Sequence, residues 1–269
     1  MTRATRRDAI RFAARRPYEN VYLQWVLEGG HGPAAPDELL LNRDFRGRAT
    51  GLVFYGAQLV LAADDESALD AFGVETRKHH GLRSFVGPKQ AVDGVWARVR
   101  SWHPQPVIVR PEQPLYALVP DALRDAGAEA QVRLAREDEA ELVAYNSGAM
   151  ILGELGYDPR ASRTHFTGAV RRAIAQGLWW VWVVDGELRF QLNVGPRTAA
   201  TTQLQGVWTP PAQRGRGYAT LGLAAVARRL LLTEATLSLY VNDFNTAGIG
   251  LYERVGFARV GTFATYLFP

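Results

Sequence analysis

The chain has 269 residues, 47% hydrophobic and 22% charged, proportions that suit one large globular domain or two modest ones. Thirty-one Lys and Arg against 27 Asp and Glu leave a formal charge of only +4, spread evenly over both halves, which argues against a nucleic-acid-binding face. No apolar run approaches the ~20 residues of a membrane span, and the lack of cysteine excludes disulfides, zinc-thiolate sites and a cysteine nucleophile and fits a cytoplasmic protein.

Residues 3–28 predict helix, broken at Pro17 and stopped by Gly29 and Gly30. Arg3, Arg7, Arg11 and Arg15 recur every four residues, a stripe that reads as a solvated helix face. A loop at 31–36 precedes two strand-like pieces, 52–55 and 58–62, parted by Gly56 and Ala57. A helix at 67–77, a strand at 83–86, a helix at 89–102 and strands at 106–110 and 113–118 complete an α/β first half. Residues 120–127 read as a linker, dividing the chain into 1–125 and 130–269.

The second half predicts a strand at 130–134, a helix at 137–146 led by acids, a loop at 151–159 and a helix at 161–175. Strand 179–184 turns at Asp185 and Gly186, a hairpin signal, into strand 188–194. Strand 201–208 is followed by a glycine loop and a helix to 232. Strand 237–241, a helix at 245–255 and a hairpin of 258–261 with 265–268 close the chain.

The most informative stretch is 207–220, V-W-T-P-P-A-Q-R-G-R-G-Y-A-T. An apolar strand breaks at Pro210 and Pro211, and a helix opens near Ala219. The first N–H groups of a helix have no intrahelical partner, and its dipole favours negative charge there. Arg214 and Arg216 add full positive charges, so the ligand indicated is a phosphate-bearing one. A Walker loop, G-x-x-x-x-G-K-[ST], is absent, and Gly215-Arg216-Gly217 lacks the third glycine of a dinucleotide fingerprint.

The pattern R-x-x-G-x-A (Arg214, Gly217, Ala219) resembles the acyl-coenzyme-A pyrophosphate loop of the GCN5-related N-acetyltransferases (GNAT). Residues 237–257 resemble the same family's C-terminal signature. They give an apolar strand, Asn245 and Ala247, then Leu251-Tyr252-Glu253 and Gly256-Phe257. The motif-bearing likeness covers about 179–268. It implies an α/β (α+β) acetyltransferase fold, a mixed and mostly antiparallel sheet flanked by helices. Residues 1–125 follow the same outline without the loop, so the chain resembles bacterial two-domain members with a degenerate N-terminal half.

That resemblance implies acetyl-CoA as co-substrate. Backbone groups of Val207 and Thr209 would pair with its pantetheine arm. Amides from Arg214 through Gly215, Arg216, Gly217, Tyr218 and Ala219 to Thr220 would cradle its pyrophosphate. Asn245 would contact the cofactor or satisfy the strand end, and Tyr252 would be the general acid that protonates the departing thiolate. The expected reaction is acetyl transfer to a primary amine, on a small molecule or a peptide, by direct attack in a ternary complex. Two alternatives stand beside it: a non-catalytic acyl-CoA sensor, and a tandem transferase using another acyl donor.

The general base is less evident. Many family members carry a Glu on the strand before the loop, where this chain has Gln203 and Gln205. Glu154 is the preferred base, with Asp158, Glu139 or a water held by Gln205 as alternatives. Trp179, Trp180 and Trp182 on one strand read as core packing, with an aromatic acceptor wall as the alternative. The five histidines show no metal-ligand spacing, and no metal is expected.

Overall fold

A computed structural model describes residues 3–30, 38–124 and 130–269. The loop expected at 31–36 and the end of the linker lie outside the described residues.

Helices α1 (Arg3–Ala14) and α2 (Val21–Leu27) are parted by the turn containing Pro17. The Asn20 side chain donates to Ala13 O at 3.1 Å and fixes that turn. Ala9, Phe12 and Ala13 are buried, while Arg7, Arg11 and Arg15 of the basic stripe are exposed. Next come β1 (Leu39–Arg43), β2 (Ala49–Tyr55), β3 (Gln58–Ala63), α3 (Glu66–Thr76), β4 (Ser84–Pro88), α4 (Lys89–Val99) and β5 (Ile108–Leu118). Strand alternation sorts β2 between two cores: Leu52 and Phe54 meet α1 and α2, whereas Val53 and Tyr55 meet α3 and α4.

The second half contains β6 (Arg133–Leu134), α5 (Ala140–Leu155), α6 (Arg163–Ala175), β7 (Trp179–Val184), β8 (Glu187–Arg197) and β9 (Thr202–Trp208). It ends with α7 (Tyr218–Leu230), β10 (Leu237–Tyr240), α8 (Thr246–Val255) and β11 (Ala258–Leu267). Trp179 and Val181 of β7 pack with α5 and α6, and Trp182 packs with α7 and α8. Trp182 meets Tyr218 edge-on at 5.0 Å, and Trp180 lies under Arg229. These tryptophans are core residues rather than an acceptor wall.

All eleven strands among the described residues form one sheet, ordered β1-β2-β3-β4-β11-β5-β10-β9-β8-β7-β6. The final strand β11 is inserted between β4 and β5, so the second half supplies a strand to the first. Strand β5 in turn borders β10, so the two halves share a continuous ladder. The α2 helix packs on β2 and β3 and also reaches β8 on the other arm, which bridges the space between the arms.

Three expectations are corrected. The two strands expected at 106–110 and 113–118 are the single strand Ile108–Leu118, because the φ that Pro111 and Pro114 enforce lies within the extended range. The closing hairpin is one strand, and its Gly261 turn signal marks an irregularity where the pairing shifts between Arg259 and Gly261. The 151–159 loop begins later than expected, since α5 runs to Leu155 and stops at Gly156, whose φ is +75°. That extension carries Glu154 on the last helical turn.

Candidate active site

Strand β9 pairs antiparallel with β8 but runs beside β10 only at Thr202 and Gln203. From Leu204 onward the two parallel strands separate. Gly206, at φ +58°, sits in a bulge where β9 has one residue more than β8 between the pairs Gln191–Trp208 and Asn193–Gln205. The β10-facing edge of residues 204–208 is therefore left without a strand partner, open to an extended ligand.

Beyond β9 the chain turns through Pro211–Gln213 into the glycine loop. Gly215 and Gly217 have φ of +74° and +82°. A Cβ would meet nothing within 4 Å at Gly215 and only Leu221 at 3.9 Å at Gly217. The backbone angle, not crowding, demands glycine here. Gly217 caps α7 without a side-chain hydrogen bond, and the first helical bond runs from Leu221 N to Gly217 O. The N–H groups of Tyr218, Ala219 and Thr220 are thus free for an anion. Arg214 is fixed beside them, its Nε donating to Thr209 O at 3.2 Å and its guanidinium 4.8 Å from the Trp208 ring centre.

These elements bound a cleft of about 410 Å³. It is lined by Val207, Thr209, Arg214, Gly215, Gly217, Tyr218, Ala219, Thr220, Asn245, Tyr252 and Glu154, which brings the expected residues together. Arg216 does not line it; its side chain turns to Gln213 Oε1 at 3.3 Å. Thr209 Oγ1 is buried with no hydrogen-bond partner among the described residues, an orphan polar atom on the cleft wall. Asn245 Oδ1 accepts from Gly248 N at 2.9 Å and so caps α8, with its amide nitrogen left beside the cleft.

A second cavity of about 620 Å³ continues from the first, sharing Glu154, Val207, Asn245 and Tyr252 with it. Tyr252 stands at the junction, 7% exposed, between Tyr116 and Phe257. Burial, aided by the Glu154 charge, pushes its phenol well above the usual tyrosine range. Glu154 is at the junction too. Partial desolvation at the cleft junction raises its carboxyl, although the residue as a whole is exposed, and Arg110 opposes that rise. Arg110 also donates to Glu154 O at 2.7 Å and lies over Phe244, which ties the end of α5 to β5.

The other carboxylates considered as base lie elsewhere. Glu139 is buried against Arg133, at 2.6 and 2.7 Å, and also accepts from Arg136; the Arg133 bond chiefly holds it below the ordinary range. Asp158 is paired with Arg160 at 2.7 and 2.8 Å and is likewise lowered. Neither lines either of these two cavities, and both are structural ion pairs. Gln205 donates to Gln203 Oε1 at 3.1 Å, both on the wall of the second cavity. Among the further lining residues that the sequence did not single out are Glu19, between α1 and α2, and Tyr240 on β10. The 237–241 strand motif contains Tyr240, but nothing local marks Glu19, which reaches the cavity only because α2 crosses to β8.

An open strand pair, a glycine loop and an uncapped helix on a mixed sheet are features of the GNAT acetyltransferase fold, and the chain has that fold. Residues 196–266 match the family described as FR47-like protein, and residues 40–143 match a domain of unknown function, DUF4081. No curated protein matches in sequence.

Among solved structures, a Drosophila protein is similar at TM-score 0.68 and 13% identity, covering 100% of this chain and 97% of its own. A GCN5-related N-acetyltransferase from Kribbella flavida is similar at TM-score 0.60 and 15% identity, covering 97% and 95%. One from Sphaerobacter thermophilus gives TM-score 0.58 and 15% identity, covering 91% and 85%. Among the described residues no helix is long and apolar enough to cross a membrane, and no cluster of metal-ligating side chains occurs.

Proposed function

We propose that the protein is an N-acetyltransferase that moves the acetyl group of acetyl-CoA to a primary amine. The observation that carries this reading is the uncapped α7 N-terminus beside the open edge of β9, with a buried phenol where the two cavities meet. The residues present fit the co-substrate. Free amides of Tyr218, Ala219 and Thr220 with Arg214 suit a pyrophosphate, and the unpaired β9 edge at Val207 suits an amide-bearing arm. Orphaned Thr209 Oγ1 supplies one further polar partner.

Acetyl-CoA supplies an activated thioester; the chain supplies position and proton transfer. The second cavity holds the amine. Glu154 Oε accepts the proton that the nitrogen loses as its bond to the acetyl carbon forms. Tyr252 keeps its proton through neutral pH, because its phenol is raised, and holds it at Oη for the sulfur whose bond to carbon breaks. Burial of Tyr252 keeps water from competing for that hydrogen bond. With no cysteine in the chain, direct attack in a ternary complex is the economical route.

Residues 1–125 act as a cofactor-free half that closes the acceptor cavity over 130–269, through α2 and the turn before it. A cytoplasmic setting suits both substrates. The test is mass spectrometry of the protein after incubation with acetyl-CoA alone, then release of the coenzyme A thiol when amines are added. The expected result is an unmodified protein and amine-dependent thiol release. A covalently acetylated protein that passes its acetyl group on would contradict direct attack.

A further inference from the structure

Resting on the transferase reading, the question is which amine the second cavity suits. Its about 620 Å³ is the size of a small-molecule site. Its wall draws on both halves, with Glu19 and Tyr22 from the first, and Glu154, Gln203, Gln205 and Tyr240 from the second.

The charges on that wall have one sign. Among the described lining residues Glu19 and Glu154 are the ionisable acids, and no Lys, Arg or His is present. Arg16 approaches Glu19 only at 3.8 Å from outside the cavity, is itself more than half exposed, and holds Asp64 more closely at 3.3 Å. Burial raises the Glu19 carboxyl, as expected of an acid facing a poorly hydrated space without a full counter-charge.

A second observation points to a ligand. Gln203 is 4% exposed, and its amide oxygen is taken by Gln205. Tyr252 is 7% exposed and lines both cavities, with Glu154 beside it on each wall. Buried polar groups facing a cavity need partners, and a bound polar molecule provides them.

The two carboxylates differ in place. Glu154 borders both cavities and so lies beside the reacting nitrogen. Glu19 borders only the acceptor cavity, near Gly261, where a Cβ would come within 3.3 Å of Glu19 Oε1. A molecule whose one amine reaches Glu154 and Tyr252 therefore meets a second, separate negative charge. An acceptor carrying its own carboxylate or phosphate would be repelled and left unpaired.

We propose that the acceptor is a small dication with two basic nitrogens, the reacting amine beside Glu154 and Tyr252 and the second nitrogen at Glu19. Glu19 is then a specificity residue that the N-terminal half supplies to the active site of the C-terminal half.

The experiment compares α,ω-diamines of four to eight carbons with alkylamines and ω-amino acids of equal length, with acetyl-CoA saturating. The expected order is diamine over alkylamine by at least tenfold in kcat/KM, with ω-amino acids poorest. Glu19→Gln should raise KM for the best diamine about tenfold with little change in kcat and collapse its preference over the matched alkylamine. Titration of this variant with acetyl-CoA should give the parent affinity, which shows that it folds.

Alkylamines or ω-amino acids used as well as diamines would overturn the proposal. So would a diamine preference that survives Glu19→Gln, or acetyl-CoA binding with no diamine turned over. Failure of the parent protein to bind acetyl-CoA at all would instead remove the transferase reading on which the proposal rests.

Discussion

Two strand-to-helix junctions in this molecule begin with the same geometry and end with opposite chemistry. In the second half, β9 leaves β10 after two paired residues, and its junction with α7 carries Arg214, two left-handed glycines and no side-chain cap. In the first half, β3 and β4 are also parallel neighbours but pair at Gln58, Leu59 and Val60. They stay close at Gly87, where a Cβ would lie 2.4 Å from Leu61 O. The β3–α3 junction reads Asp64-Asp65-Glu66, and Asp65 Oδ1 accepts from Ala68 N at 2.9 Å. Asp64 is tied to Arg15 and Arg16. One helix N-terminus is free and flanked by cations; the other is filled by its own carboxylates. An uncapped helix beside parted strands leaves room for an anion; a capped helix beside paired strands does not.

The variant that breaks this contrast most severely is Gly217→Asp. It forces a side chain into a left-handed backbone and puts at the α7 terminus the charge that already fills the α3 terminus. We expect acetyl-CoA affinity to fall beyond ~10²-fold in calorimetric titration, a loss of about 3 kcal/mol; parent affinity would show that the loop does not hold the pyrophosphate. Next, Tyr252→Phe should lower kcat by ~10²-fold while acetyl-CoA affinity stays within about twofold. A rate near the parent's would make Tyr252 a packing residue.

Glu154→Gln tests the other side of the proton ledger through pH. Its carboxyl is raised in the folded protein, and a base works only when ionised. The parent's kcat/KM should therefore fall on acidification through a pKa above that of an ordinary glutamate. The variant should lose that limb along with about 10² in rate. An unchanged acid limb would assign it to another group.

The smallest effect is expected at the capped junction. Asp65→Ala should cost about 1 kcal/mol, seen as a melting point lower by about 2–4 °C, because one α3 amide loses its acceptor. Acetyl-CoA affinity should not change. A change in affinity would mean that the first-half junction takes part in binding.

Much of this contrast could be read from residues. The spacing of Arg214, Gly217 and Ala219, and the 237–257 signature, draw on local backbone demands, namely left-handed angles, a helix start, and the αL stop at Gly256. Such demands leave a mark on single positions. The inserted strand β11 left none, because strand order is decided by packing between distant segments, and a continuous β11 differs from a hairpin only in whether Gly261 turns or bulges. Glu19 was hidden for the same reason, since its role depends on α2 reaching β8 rather than on any neighbour in sequence. By sequence alone Asp158 and Glu139 are plausible bases as well as Glu154, but each is paired with arginine in the fold. An acid's availability depends on what faces it in space.

The most direct test of the account is calorimetric titration of the intact protein with acetyl-CoA. Micromolar binding, about 8 kcal/mol at one site per chain, is the predicted result. No measurable heat up to millimolar acetyl-CoA would contradict it, because an uncapped α7 beside an open β9 would then be a feature of the fold without a ligand.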